Sequence, residues 1–380
     1  MIMGIRSPRN IISNRSENFD DFFFAVTDAS FSGDLSSFMA ELEGSSDSFF
    51  FKSAPSSDTA QYAFVRKSDR KIIGFVQYRP ECFYTEGSIG YIVRPSERNK
   101  GYSKKMIINF IFFISLSGVP FLSAKISKDN IFSIKAAESS GGILLEDLSS
   151  EDSCFYYFKC VPDAFVCEIE DHILFIESEK SLFSPYAPDK GTLAMLSGAV
   201  FNKGEKILDL GCGTGIVGIF ACKKLSNDCT VIQCDISSKA VKCTVINNSF
   251  NNTCAVAFVS DGFANVEDND FDMILSNPPY HTDFSVAKHF IEDGFKHLKV
   301  GGRFYMVTKR LDWYKNKFTS VFGGVKVAES DGYYIFTAEK RTARPPVKKK
   351  DKGGMSSKLK RKYGIKQTVY HNPAISLIYS

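Results

Sequence analysis

Short apolar runs recur along the second half of the chain, at residues 206–210, 231–234, 255–259, 273–275 and 303–307, with longer mixed stretches between them. Strand-like runs alternating with helical ones predict a parallel sheet with crossover helices. Ahead of them, Phe165-Val166-Cys167-Glu168-Ile169 and His172-Ile173-Leu174-Phe175-Ile176 flank Glu170-Asp171 and read as a hairpin. The first half has its own pattern. Ile89-Gly90-Tyr91-Ile92-Val93 reads as a strand, a basic loop follows, and an apolar helix follows that. The block closes on Cys154-Phe155-Tyr156-Tyr157-Phe158, an aromatic run typical of a strand. Val161-Pro162-Asp163 then marks a boundary, because proline and aspartate end one element before another begins.

At 380 residues the chain exceeds the usual size of one hydrophobic core. The pattern therefore predicts an α/β domain over residues 1–160, a second α/β domain over 161–343 and a tail over 344–380. Hydrophobic residues at 44% and charged residues at 24% are ordinary globular composition and exclude a disordered chain. The net charge of +4 is lopsided: residues 341–366 hold eleven lysines and arginines against Asp351 alone. A mildly acidic body with a basic tail fits nucleic acid as a partner. Residues 106–122 are rich in Ile and Phe but contain Asn109, Gly118 and Pro120. That run is too short and interrupted for a membrane span and predicts a buried helix ending near Gly118. No signal-peptide pattern opens the chain, so a cytoplasmic location is expected. The ten cysteines show no CxxC pair and no Cys/His spacing suited to zinc, so no metal is expected.

The chemistry concentrates after the strand at 206–210. Gly211-Cys212-Gly213-Thr214-Gly215 joins it to an apolar helix, and glycines at such a turn let a ligand approach the backbone closely. A dinucleotide-binding fingerprint needs glycine at position 216, where isoleucine stands. The pattern, with Asp209 before it, resembles motif I of the class I methyltransferases. That resemblance implies a Rossmann-like domain with a central, mostly parallel sheet, binding S-adenosylmethionine through Asp209, Gly211, Gly213 and Gly215. Asp235 ends the next strand, where a carboxylate can accept hydrogen bonds from both ribose hydroxyls. Asp261 follows the third strand, where the family reads the adenine amino group.

Asn277-Pro278-Pro279-Tyr280 follows the strand at 273–275. Ligands of open α/β sheets bind at the carboxyl ends of strands, and consecutive prolines hold carbonyls rigidly outward. An amine conjugated to a ring or carbonyl is a weak nucleophile because its lone pair is delocalised. The Asn277 side-chain oxygen and the Pro278 carbonyl can each accept one of its N–H bonds and aim the lone pair at a methyl group. Tyr280 can stack on the planar substrate. The motif alone leaves adenine, cytosine, guanine and glutamine nitrogens open. Its surroundings resemble the bacterial ribosomal RNA guanine-N2 methyltransferases, the small-subunit type especially. The matching features are Phe183-Ser184, Asp189-x-Gly191-Thr192, the glycine loop, His281 after the motif, and Leu298-Lys299-Val300-Gly301-Gly302-Arg303-Phe304. The resemblance implies a cofactor contact at Thr192 and an exocyclic guanine amine as acceptor. Tyr280, where those enzymes more often have phenylalanine, departs toward the glutamine- and adenine-methylating relatives.

In the first block the loop Arg98-x-x-Gly101-x-Ser103 feeds a helix N-terminus, a physical site for a pyrophosphate. The block resembles the GCN5-related N-acetyltransferases (GNAT), with serine departing at the last loop position and Asn130 opening the second cofactor segment. The resemblance implies acetyl-CoA bound through Arg98, Gly101, Ser103 and Asn130. Ala137 stands where many relatives place a general-acid tyrosine, and Glu86 is a candidate general base. Two arrangements follow: a bifunctional enzyme, or a methyltransferase carrying a non-catalytic docking domain.

Overall fold

The computed structural model describes residues 22–25, 32–43, 59–278 and 284–345. In the first half, β1 (Phe22–Ala25), β2 (Ala60–Arg66), β3 (Ile72–Tyr78) and β4 (Ile89–Val93) form an antiparallel sheet in that order. Helix α1 (Ser32–Leu42) packs Phe38 and Leu42 on one face of it, against Phe75 and Ile92. On the other face lies α2 (Tyr102–Ser115), which buries Met106, Phe110 and Ile114 at helical spacing. The apolar run at 106–122 is therefore buried helix as far as Ser115, close to its expected end near Gly118. After Gly118, whose φ of 76° suits glycine, the chain re-enters as β5 (Phe121–Ser127).

Strand β5 pairs with β7 (Ser153–Lys159), which also pairs with the two-residue β6 (Ile143–Leu144), and α3 (Ile131–Ser139) lies between β5 and β6 in the chain. The two sheets are joined where Ser88 N–H donates to Ser123 Oγ at 2.9 Å and Ser123 N–H to Ser88 Oγ at 2.9 Å, both buried. One core runs under both sheets, from Tyr62 and Phe64 through Phe110 to Leu122 and Phe158.

The second half begins with the expected hairpin, β8 (Phe165–Ile169) and β9 (His172–Ile176), followed by α4 (Lys190–Gly198). Next come β10 (Lys206–Leu210), α5 (Ile216–Lys224), β11 (Thr230–Asp235), α6 (Ser238–Phe250), β12 (Val256–Val259) and β13 (Phe271–Ser276). The chain continues through α7 (Phe284–His297), β14 (Leu298–Thr308), α8 (Asp312–Phe322), β15 (Lys326–Ser330) and β16 (Tyr333–Glu339). These strands form one sheet in the order β12-β11-β10-β13-β14-β16-β15. Its first five strands are parallel, as the alternation predicts, and β16 and β15 close it as an antiparallel edge. Separate apolar cores cover its two faces, one with Ile207, Phe220 and Met273, the other with Leu208, Ile274 and Phe304.

The chain order reverses beside β10, so the crevice for a ligand lies at the carboxyl ends of β10, β11 and β13. Helix α5 sits close enough to β11 that a Cβ at Gly218 would stand 2.4 Å from Gln233 Nε2. Between the halves, Phe83, Phe121 and Tyr157 of the first meet Phe175 of β9 edge to face, with ring centroids 4.9, 5.2 and 5.6 Å apart. The chain thus folds as a GNAT-like α/β domain followed by a Rossmann-like α/β domain with a mostly parallel central sheet. No helix among the described residues is long and apolar enough to cross a membrane.

Candidate active site

The glycine loop turns at the carboxyl end of β10, with φ of 77° at Gly211, 58° at Gly213 and 85° at Gly215. Other residues adopt such dihedrals only with strain, which explains three glycines in five positions. Gly211 and Cys212 N–H both donate to Cys234 O, at 2.8 and 3.0 Å, tying the loop to the end of β11. Asp235 stands half-buried beside it. Its Oδ2 accepts from Gly213 N–H at 3.0 Å and its Oδ1 from Ser237 N–H at 2.8 Å. Each oxygen keeps a further lone pair, the requirement for holding vicinal hydroxyls. Asp261 is exposed just beyond β12, with its backbone oxygen taken by Ala264 N–H.

Asp209 has a different place from its sequence neighbours. Its side chain is buried under the loop, where Oδ2 accepts from Gly218 N–H at 3.1 Å and from Gln233 Nε2 at 3.0 Å. Gln233 in turn donates to Gly215 O at 3.0 Å and accepts from Asn248 Nδ2 at 2.8 Å. The carboxylate thus shapes the loop from beneath. Burial raises its pKa to about 6, against the opposing hydrogen bonds from Gln233 and Gly218.

Across the crevice, Ser276 Oγ donates to Leu210 O at 2.8 Å, and the chain leaves β13 at Asn277. Asn277 Nδ2 donates to Asp189 Oδ2 at 2.9 Å and to Thr192 Oγ1 at 3.0 Å. A carboxylate only accepts, so this contact fixes which end of the amide is nitrogen. The other end, Oδ1, is buried and has no hydrogen-bond partner among the described residues. A buried acceptor without a donor is rare and marks a place where a ligand group completes the bond.

Asp189 does several jobs at once: it caps α4 by accepting from Thr192 N–H at 3.2 Å, and its Oδ1 accepts from Tyr333 Oη at 3.2 Å. Gly191 has to be glycine here, because a Cβ would stand 2.6 Å from the Tyr333 ring. Thr192, expected among the cofactor contacts, accepts from the Asn277 amide through its Oγ1. The sequence reading missed the positioning roles of Asp189 and Tyr333. It also missed Trp313 and Phe284, which stack with ring centroids 4.4 Å apart, with the Arg310 guanidinium 5.0 Å from the Phe284 ring centre. This aromatic pair lies at the N-termini of α7 and α8, the same edge of the sheet as Asn277. Pro278 is buried, whereas Pro279, Tyr280 and His281 lie outside the described residues, as does the tail from residue 346.

In the first domain, Gly101 with φ of 78° opens α2, and Arg98 Nε donates to Val93 O at 3.1 Å, which sets the loop against β4. Ser103 lies in the first turn, where backbone N–H groups face outward. Asn130 caps α3 by accepting from Ser133 N–H at 3.1 Å, a structural duty that its sequence position did not announce. Ala137 is buried. Glu86 is largely exposed and paired with Lys125 Nζ at 3.2 Å, which leaves it poorly placed as a base.

Residues 174–337 match the methyltransferase small domain family, and residues 15–143 match the acetyltransferase (GNAT) domain family. The ribosomal RNA small subunit methyltransferase C of Shewanella amazonensis is 32% identical over 166 residues, 42% of this chain and 48% of that protein. The ribosomal RNA large subunit methyltransferase G of Photobacterium profundum is 27% identical over 192 residues, 48% of this chain and 51% of that protein. The chain therefore spans about half the length of these relatives. Among solved structures, the Thermus thermophilus 16S rRNA N2 G1207 methyltransferase with AdoMet and guanosine is 20% identical, covering 65% of this chain and 71% of that one, with a TM-score of 0.44.

The buried Asp209 generates a pH test. Its folded pKa of about 6 lies above the ordinary 3.8, so the folded state holds the proton more tightly than the unfolded chain. Stability from this group is full below the ordinary value and is lost as pH rises to about 6, by about 3 kcal/mol. Denaturant unfolding of Asp209→Asn beside the parent at pH 4 to 7 should show the parent losing that margin while the variant does not. A pH-independent difference would contradict the assignment. The chain joins a first domain similar to the acetyltransferase (GNAT) domain family to a second domain similar to the methyltransferase small domain family.

Proposed function

We propose that the second domain transfers the methyl group of S-adenosylmethionine to the exocyclic amine of a guanine in ribosomal RNA. The observation that carries the amine acceptor is the buried Asn277 Oδ1, without a partner among the described residues and held by an amide whose orientation Asp189 fixes. S-adenosylmethionine, when bound, supplies an electrophilic methyl carbon whose loss leaves a neutral thioether. Asn277 Oδ1 and the Pro278 carbonyl accept the two N–H bonds of the substrate amine and turn its lone pair toward that carbon. The proton released afterwards goes to solvent, and no strong base is needed. Asp235 and the glycine loop hold the nucleoside and methionine ends, and Asp261 reads the adenine edge. Tyr280 and the Phe284–Trp313 pair supply flat apolar surface for a base taken out of its stack. Guanine rather than adenine or a glutamine amide rests on the likeness to the ribosomal RNA methyltransferases named above.

The first domain, on this reading, binds acetyl-CoA with its pyrophosphate on the N-terminus of α2, between Arg98, Gly101 and Ser103. The tail from residue 344 gives salt-sensitive contacts to RNA phosphates.

Five outcomes follow. Asn277→Ala should lower kcat by about 10²- to 10³-fold, the scale for losing one preorganised partner of a developing charge. Asp189→Ala should lower kcat about tenfold while the KM for S-adenosylmethionine holds, since it frees the amide without touching the cofactor. Mass spectrometry of ribosomal RNA from a deletion strain, with and without the Asn277→Ala gene, should show one methylguanosine missing in both. An unchanged nucleoside profile would refute the ribosomal substrate. Calorimetric titration of the full chain with acetyl-CoA should give binding that Gly101→Val weakens at least about tenfold, through its left-handed backbone. No binding by the parent would leave the domain a docking module. Removing residues 344–380 should flatten the salt dependence of RNA binding, and an unchanged slope would take the tail out of the mechanism.

A further inference from the structure

Three cysteines that are scattered in sequence meet at the end of the Rossmann-like domain opposite the active site. Cys222 lies in the last turn of α5, Cys229 immediately precedes β11, and Cys254 lies two residues ahead of β12. Their Sγ atoms all lie within 4.8 Å of one another, the one such cluster of potential metal ligands among the described residues. The spacing 222, 229, 254 matches no zinc motif, which is why the sequence predicted no metal; the parallel strand order brings the three loops together instead.

The geometry suits a tetrahedral thiolate site. Zinc binds sulfur at about 2.3 Å, so two sulfurs on one ion stand about 3.8 Å apart along a tetrahedral edge. Cys222 and Cys254 Sγ are already 3.8 Å apart. Cys222 is buried, Cys229 half-buried and Cys254 exposed, so the triangle has a closed side in the core and an open side toward solvent. That leaves a way in for the ion and room for a water as fourth ligand.

The backbone around the cluster is held in place. Asn227 N–H donates to Cys222 O at 2.7 Å, Asn227 Nδ2 to Asn252 O at 3.0 Å, and Cys254 N–H to Asn227 Oδ1 at 3.2 Å. One asparagine thus ties all three segments. The electrostatics favour a cation there too. The cluster sits at the C-terminus of α5, the negative end of a helix, and Cys254 Sγ faces the carbonyl oxygens of Cys229 at 3.5 Å and Asn227 at 3.8 Å.

We propose that Cys222, Cys229 and Cys254 form a structural site for one thiophilic metal ion, of which zinc(II) is the type. The three thiolates and the ion close the base of α5 against β11 and β12, remote from the methyl-transfer edge. Binding replaces three S–H bonds by three metal–sulfur bonds and releases three protons to solvent.

The test uses the full-length, reduced, metal-stripped chain. Cobalt(II) should bind one per chain with a thiolate-to-cobalt charge-transfer absorption, and zinc(II) should displace it. Zinc should raise Tm by mass action. Cys254→Ser, a change at an exposed position, should abolish the absorption and weaken zinc binding more than about 100-fold, beyond the loss of an outer-shell partner. Cys82→Ser, at a cysteine outside the cluster, should bind as the parent does. No charge-transfer band in the parent, or a band that survives in Cys254→Ser, would overturn the proposal.

Discussion

The second domain is organised around one buried carboxylate. Asp209 takes the amide of Gly218 and the side chain of Gln233, and Gln233 passes the constraint to Gly215 and Asn248. Four elements, β10, α5, β11 and α6, are thereby held to one arrangement. The dense fit of Gly218 against Gln233 belongs to the same constraint, because a side chain there would push Gln233 off its partners. A charge so fully removed from water is expensive unless its lone pairs are engaged. The raised pKa of Asp209 is the measure of how incompletely they are. What this arrangement achieves is a loop whose amides and glycine dihedrals are set before any ligand arrives.

The opposite wall of the crevice repeats the logic with an exposed consequence. Asp189 spends its two oxygens on Thr192, Tyr333 and Asn277 and has none to offer a ligand except through them. The result is that Asn277 commits its nitrogen to Asp189 and Thr192 and leaves its buried oxygen without a partner among the described residues. Preorganisation of this kind matters for an amine because only acceptors help it: a donor facing the lone pair would compete with the methyl group. The Thr192 hydroxyl accepts from the same amide and so shares in holding it.

The sequence revealed those features whose chemistry is local. Three glycines at a strand-to-helix turn, an aspartate at the next strand end and an asparagine before two prolines each lie within a few residues of the element that positions them. Their strands were legible because each of the five parallel ones carries a short apolar run. Features that depend on distant contacts were not. Tyr333 meets Asp189 across 144 residues, and Asn277 meets Asp189 across 88. Tyr333 does not stand out at its own position, and Asp189 stands out only as part of a motif, with no sign of the partners it holds. The antiparallel edge was missed because β15 is mostly exposed and its lysine, glutamate and serine break the apolar pattern. The cysteine triangle was invisible for the same reason: no sequence rule links a helix's last turn to the starts of two neighbouring strands.

Helix α5 connects the two ends of this reasoning. Its first turn carries the glycine loop, and its last turn carries Cys222. Along its length it is almost wholly buried, with Ile219, Phe220 and Ala221 fully enclosed, so it moves only as a unit with the core beneath it. Its N-terminal end presents partial positive charge to an anionic or polar ligand, and its C-terminal end presents carbonyls that favour a cation. A helix fixed by Asp209 at one end and by an ion at the other would transmit any loss of the ion to the loop as a shift of position. The glycine turn is therefore the natural place for stability at the base of the sheet to reach the crevice at its top.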